Sequence, residues 1–222
     1  MRKKLGIMLL AGTLAFQWNV PVLANQMQMK TISETPVAEA VKTAPMSQFY
    51  CGTITKVQKV KKRGITKIFM KSEQDGERVL NVSKDTVWIN AKTRSAGSST
   101  RLKVGEKLYV FHSIAMTRSL PPQTAAFAIV RNVPQDTMCP QYITVDQVEK
   151  QKDGSLQITT DDGEMILMLN KETSLIPYRT KNIVKLEDIE KGSRLMVWYS
   201  IVGTSYPARV YPEQVMLLPS IK

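Results

Sequence analysis

His112 is the one histidine in a chain of 222 residues, and Cys51 and Cys139 are its only cysteines. Those counts exclude a His-rich metal centre, a four-cysteine zinc site and a dense disulfide scaffold. His112 ends the apolar run Leu108-Tyr109-Val110-Phe111, where strand alternation puts it on the face of Leu108 and Val110. Its place there fits packing or a strand-end hydrogen bond better than general-base duty. Neither cysteine sits at a helix start that would lower its pKa, so a Cys–His nucleophile is poorly supported.

Twelve methionines invite a copper(I) reading, because thioethers are soft ligands. Met165 and Met168 fall on opposite faces of one predicted strand and Met196 on another, so core filling is the better explanation. The carboxylates of Asp75 and Glu77, and of Asp161 and Asp162, lie at predicted hairpin turns without a further oxygen ligand at calcium-loop spacing. The chain has no Gly-x-Ser-x-Gly elbow and no phosphate-cradling glycine loop. No catalytic constellation emerges, and no cofactor is implied.

Two segments remain. Residues 115–124, Ala-Met-Thr-Arg-Ser-Leu-Pro-Pro-Gln-Thr, combine two prolines with Thr117, Arg118, Ser119 and Gln123. The prolines predict an extended, polyproline-like path between strands. Such a loop either holds an anionic group or a protein partner, or only closes the fold. The second segment is basic: Lys59, Lys61, Lys62, Arg63 and Lys67 cluster around a predicted hairpin. Residues 50–134 carry 16 Lys and Arg against five Asp and Glu, whereas residues 135–222 carry ten against twelve. A surface so charged attracts polyanions with strong salt dependence, or serves only as a solvated face. Few aromatics accompany these lysines, so stacking on nucleic-acid bases is poorly supported, and with it specific nucleic-acid binding.

The elements that must position these residues begin with an export signal. Arg2, Lys3 and Lys4 precede an apolar run from Leu5 to Phe16, and Val22-Leu23-Ala24 supplies small residues for cleavage after Ala24. Residues 1–24 thus read as a signal peptide and 25–49 as a flexible leader. No later stretch reaches transmembrane length, so the mature chain is expected to be secreted or held at the cell envelope by non-covalent contacts.

A repeat organises the remainder. Asp75-Gly76-Glu77 and the strand after it recur 87 residues later from Asp162-Gly163-Glu164, and Gly105 to Ile114 matches Gly192 to Ile201 at the same offset. Two blocks at one offset predict two copies of one fold: a basic repeat over 50–134, a linker over 135–141, and a near-neutral to acidic repeat over 142–222. Both copies read as β. Strands are predicted at 53–60, 66–71, 78–82, 86–90, 107–113 and 125–132, then at 144–151, 155–160, 165–169, 173–177, 194–201 and 213–218. One helical turn is expected before Gly192.

The Asp-Gly hairpin, the Lys-Asp-Thr strand entry at 84–86 and the Val-Gly-Glu-Lys-Leu turn at 104–108 resemble the OB-like and other small β-barrel domains of uncharacterised exported bacterial proteins. The resemblance implies an all-β chain of two tandem small antiparallel barrels and is nearly silent on activity. The ends of a closed barrel lie close together, so Cys51 and Cys139, at the edges of the first copy, are expected either to form a disulfide or to remain free thiols. Two functions follow. One is a non-enzymatic envelope or extracellular module whose first barrel contacts a wall polymer, an anionic lipid surface or extracellular nucleic acid through Lys59, Lys61, Lys62, Arg63 and Lys67. The other is a structural or protein-interaction role carried by the loop at 115–124.

Overall fold

Ile68, Met70 and Ser72 are buried while Phe69 and Lys71 between them are not, and Leu80 and Val82 are buried on either side of a half-buried Asn81, so each segment buries one face as a strand. They form β2 (Ile65–Ser72) and β3 (Gly76–Val82) in a computed structural model that describes residues 47–60 and 64–221. The expected signal peptide and most of the expected leader lie outside the described residues, as do Lys61, Lys62 and Arg63.

The first strand, β1 (Ser47–Val60), starts six residues before the predicted Thr53. It serves two neighbours. Residues 47–53 pair with β6 (Lys107–Met116), and the rest pair with β2 across a bulge between Ile54 and Lys56. The last strand of this half, β7 (Gln123–Arg131), is likewise shared. Its start runs parallel to β3 and its end parallel to β4 (Val87–Asn90), which continues into the short β5 (Ser95–Ala96). Because β7 also pairs with β6, the ring β1-β2-β3-β7-β6-β1 closes into a five-stranded barrel. Ile54, Ile68, Met70, Leu80, Leu108, Val110 and Ile129 fill it. Each large apolar side chain so enclosed contributes about 1.5–3 kcal/mol.

Gly52 marks the place where β1 changes partner. A Cβ there would stand 2.7 Å from the carbonyl oxygen of Lys71 and 3.0 Å from the Tyr50 ring. Since the nearest atom is strand backbone, Gly52→Ala is expected to cost about 1–3 kcal/mol by overpacking. Urea unfolding checks this, and an unchanged midpoint would show that the strands separate freely at this bend.

The second half repeats the pairing plan. β8 (Gln141–Lys150), β9 (Leu156–Thr160) and β10 (Met165–Leu169) take the places of β1 to β3; β11 (Ser174–Pro177) and β12 (Arg194–Trp198) take those of β4 and β6. The agreement extends to single hydrogen bonds. Ser83 N–H donates to Thr86 Oγ1 at 3.0 Å, as Asn170 N–H does to Thr173 Oγ1 at 3.2 Å. Gly105 N–H donates to Ile54 O at 2.9 Å, as Gly192 N–H does to Val145 O at 2.8 Å. A single 3-10 turn at Leu186–Asp188 occupies the place predicted before Gly192.

The second half departs from expectation at closure. The counterpart of β7 is broken into β13 (Ala208–Val210), parallel to β10, and β14 (Gln214–Leu217), which pairs with β12 and β11. Pro212 lies in the break and has no N–H to continue a ladder. β13 is tied to the chain following β12 by an isolated bridge from Val202 to Val210 and a hydrogen bond from Gly203 N–H to Arg209 O, and this sheet is open rather than a second closed barrel.

The halves are not beads on a linker. The described residues belong to one unit with a shared middle core, in which Val87, Ile89, Phe111, Ala128 and Val130 of the first half meet Tyr142, Met196, Trp198, Met216 and Leu218 of the second. Trp88 N–H donates to Tyr178 Oη at 2.8 Å, Arg179 donates to Gly97 O at 2.7 Å, and Arg94 pairs with Glu213 at 2.8 Å. No helix among the described residues is long and apolar enough to cross a membrane.

The disulfide expected between Cys51 and Cys139 is not formed; both are free thiols. Because β1 begins at Ser47, Cys51 lies in mid-strand opposite Tyr109 rather than at the edge of the fold. Cys139 is packed against the shared core, and its Sγ–H donates to Pro140 O at 3.4 Å.

Candidate functional site

Cross-strand register divides the basic hairpin between two surfaces. Lys59 is opposite Thr66 and Thr66 opposite Val82, a set that opens at the end of the barrel. Gln58 is opposite Lys67 and Lys67 opposite Asn81, a set on the outer wall. There Lys67 Nζ donates to Gln123 Oε1 at 2.9 Å, so two residues selected separately from the sequence meet across β3. Lys56, 5.4 Å above the Phe69 ring, shares this outer wall.

The barrel end holds a cleft of about 620 Å³. Its cations are Lys59, Lys84 and Arg101; Thr66, Ser83, Ser99 and Thr100 bring hydroxyls, Trp88 lies at its base, and no lining residue is acidic. Each wall is fixed locally. Lys84 rides the turn closed by Thr86, whose hydroxyl donates to Ala126 O at 2.8 Å and so ties the turn to β7. The loop bearing Arg101 is strapped from below by Arg131, which donates to Ser98 O at 2.8 Å and Thr100 O at 3.0 Å while its Nε pairs with Glu106 at 2.6 Å. Arg101 itself has φ +57°, a left-handed conformation that costs a residue with a Cβ about 1–2 kcal/mol. Non-glycine residues held this way concentrate at functional sites.

The proline loop lies at the opposite end of the barrel, because β6 runs antiparallel to β1. It is a compact turn rather than an extended path. Thr117 and Gln123 are joined by their backbones at 2.9 Å, Gln123 N–H donates to Thr117 Oγ1 at 2.9 Å, and Ser119 Oγ donates to Pro121 O at 2.8 Å. Gly203 to Arg209 repeats it at the same length, with Gly203 N–H on Arg209 O at 2.8 Å and Ser205 Oγ on Pro207 O at 3.0 Å. Thr117 and Ser119 are therefore occupied within the loop, which leaves Arg118 and a fully exposed Leu120 to face outward. Its recurrence follows from joining β6 to β7 in the first half and β12 to β13, the start of the broken counterpart of β7, in the second.

His112 is sealed inside the barrel. Its Nδ1 is 2.9 Å from Ser113 O, so that nitrogen carries the proton and donates, leaving Nε2 to accept from Arg78, 2.5 Å away. Arg78 also lies 4.8 Å over the Tyr50 ring. Burial, and then the Arg78 charge, hold the His112 pKa below its ordinary value, against a raising contact with the Ser113 carbonyl and the more distant Asp75. A depressed folded-state pKa means that the neutral ring stabilises the fold above the unfolded value of about 6.5. That contribution is lost as pH falls through the folded value. The urea midpoint should thus decline between pH 7 and 5 more steeply in the wild type than in His112→Gln, which keeps an acceptor for Arg78; parallel declines would contradict this. Burial likewise raises both thiols, Cys139 to about 12, and keeps them protonated.

Of the sequence-selected residues, Lys59 lines the cleft, Lys67 and Gln123 meet on the outer wall, and Thr117, Arg118 and Ser119 stand at the far end. Lys61, Lys62 and Arg63 fall outside the described residues. Sequence reasoning missed Lys84, which the chain separates from Lys59 and only the β3–β4 turn brings beside it, and counted Arg101 as charge without selecting it. Among the described residues no cluster of His, Cys, Asp and Glu could hold a metal ion. No protein-family model and no curated protein matches the chain.

Proposed function

We propose that this chain is an exported, non-enzymatic binding module whose first half holds a polyanionic polymer of the envelope or extracellular space in the cleft at the barrel end. The observation that carries the reading is that this cleft combines Lys59, Lys84 and Arg101 with no acidic lining residue. The signal-like N-terminus supports the location, and the OB-like resemblance supports the use of a barrel end and its hairpin loop as a binding surface. Lys61, Lys62 and Arg63, between β1 and β2 in the chain, add charge to the same hairpin. The near-neutral second half buttresses the first through the shared core.

Titration with inorganic polyphosphate at several salt concentrations tests this. Neutralisation by three cleft cations predicts that log K falls with log salt at a slope of about −2 to −3. A slope near zero, or no binding at low salt, would contradict it.

A further inference from the structure

The cleft offers more than charge. Hydroxyls of Thr66, Ser83, Ser99 and Thr100 line it together with the three cations. Ser83 Oγ accepts from Asp85 N–H at 3.1 Å, which leaves its own proton to donate, and Thr100 Oγ1 shares a hydrogen with Ser98 Oγ at 2.9 Å. Building on the polyanion reading, we infer that the polymer is an anionic polyol, a glycan or sugar-alcohol chain bearing phosphate or carboxylate groups, whose hydroxyls are bound by this collar while its charges meet Lys59, Lys84 and Arg101.

The other polyanions fit less well. Bases of single-stranded nucleic acid need exposed aromatic faces, and the one aromatic lining residue, Trp88, is 5% exposed with its ring committed to the barrel core. A lipid surface would gain over a soluble polyanion only through apolar side chains that protrude and insert. Val57 and Leu102 instead pack against the barrel core and Val82 is buried within it. Polyphosphate oxygens accept from these hydroxyls but offer no donor to their lone pairs, so half of the collar's hydrogen-bonding capacity goes unused. A polyol supplies both donors and acceptors at each unit, so Ser and Thr hydroxyls, which also do both, match it without a fixed orientation. Arg131, bonded to Ser98 O and Thr100 O, holds the backbone of the loop that carries Arg101 before the ligand arrives, which reduces the loop-ordering cost of binding.

The test compares the intact chain with polygalacturonate, poly(glycerol phosphate), inorganic polyphosphate, a single-stranded deoxyoligonucleotide and vesicles of anionic phospholipid, at one ionic strength and matched charge. At least one of the two polyols should bind about tenfold more tightly than polyphosphate, and which of them does so distinguishes carboxylate from phosphate. The double variant Thr66→Val, Ser99→Ala should lose about tenfold on that polyol and about threefold or less on polyphosphate, which uses the hydroxyls only as donors. Valine keeps the strand shape of threonine, and equal unfolding midpoints would show that the fold is kept. Equal affinity for all the soluble polymers, or tightest binding to the oligonucleotide or vesicles, overturns the polyol inference while polyanion binding stands. Failure to bind any of them overturns both.

Discussion

Trp198→Ala should destabilise the protein by about 2–4 kcal/mol and leave a single unfolding transition. Removing a buried tryptophan ordinarily costs about 3–5 kcal/mol in lost contacts and cavity. Here one term opposes it, because Trp198 Nε1 is buried with no hydrogen-bond partner, and alanine removes a donor whose burial costs about 1–3 kcal/mol. The cavity term is the larger, so the sign is destabilising. Trp198 packs in the core that the halves share with Phe111, Tyr142 and Met216, so the loss belongs to both halves. Trp88 fluorescence and far-ultraviolet circular dichroism should therefore move together to a lower urea midpoint. Two separated transitions would show that the halves are stable independently.

The second large effect is on binding. Lys84→Glu with Arg101→Glu should lower affinity for polyphosphate on the order of 100-fold at low salt, because each change removes an attraction and adds a repulsion. Stability should change by less than about 0.5 kcal/mol, since both side chains are exposed and neither belongs to an ion pair of the described residues. Arg101→Gly separates charge from backbone. Glycine adopts φ +57° without steric cost, so this variant should bind less tightly while unfolding no earlier than the wild type. Reduced binding that tracks reduced stability in either variant would mean that the cleft had been deformed rather than discharged.

Most strands were legible because alternation and Asp-Gly turns are local signals. The repeat was legible because the same turn chemistry recurs at Ser83–Thr86 and Asn170–Thr173. The seam was written less plainly. Leu195 to Trp198 is apolar on both faces, and Val87-Trp88-Ile89 and Ala125 to Val130 are nearly so, the pattern of strands covered on two sides. Alternation read within one copy could not say what covers the second face. The early start of β1 escaped because Ser47-Gln48-Phe49 carries no period of its own and becomes strand by pairing with Phe111 to Ser113. Pro212 was visible, but its effect on ring closure depends on which neighbour the strand needs there. Spacing placed Cys51 before the first strand, and its position in mid-strand opposite Tyr109 is a fact of pairing that spacing does not show. Charge indicated which half was basic, yet only the meeting of the β1–β2 hairpin, the β3–β4 turn and the loop at 99–102 defined the cleft.

The central claim is that anions are held at the barrel end. Backbone amide shifts of the 15N-labelled chain during titration with polyphosphate test it most directly. Shifts should concentrate at Lys59, Thr66, Ser83, Lys84 and Ser99 to Leu102, and vanish in the Lys84→Glu, Arg101→Glu variant. Shifts centred on Thr117 to Gln123 or on the second half, with those amides unmoved, would contradict it.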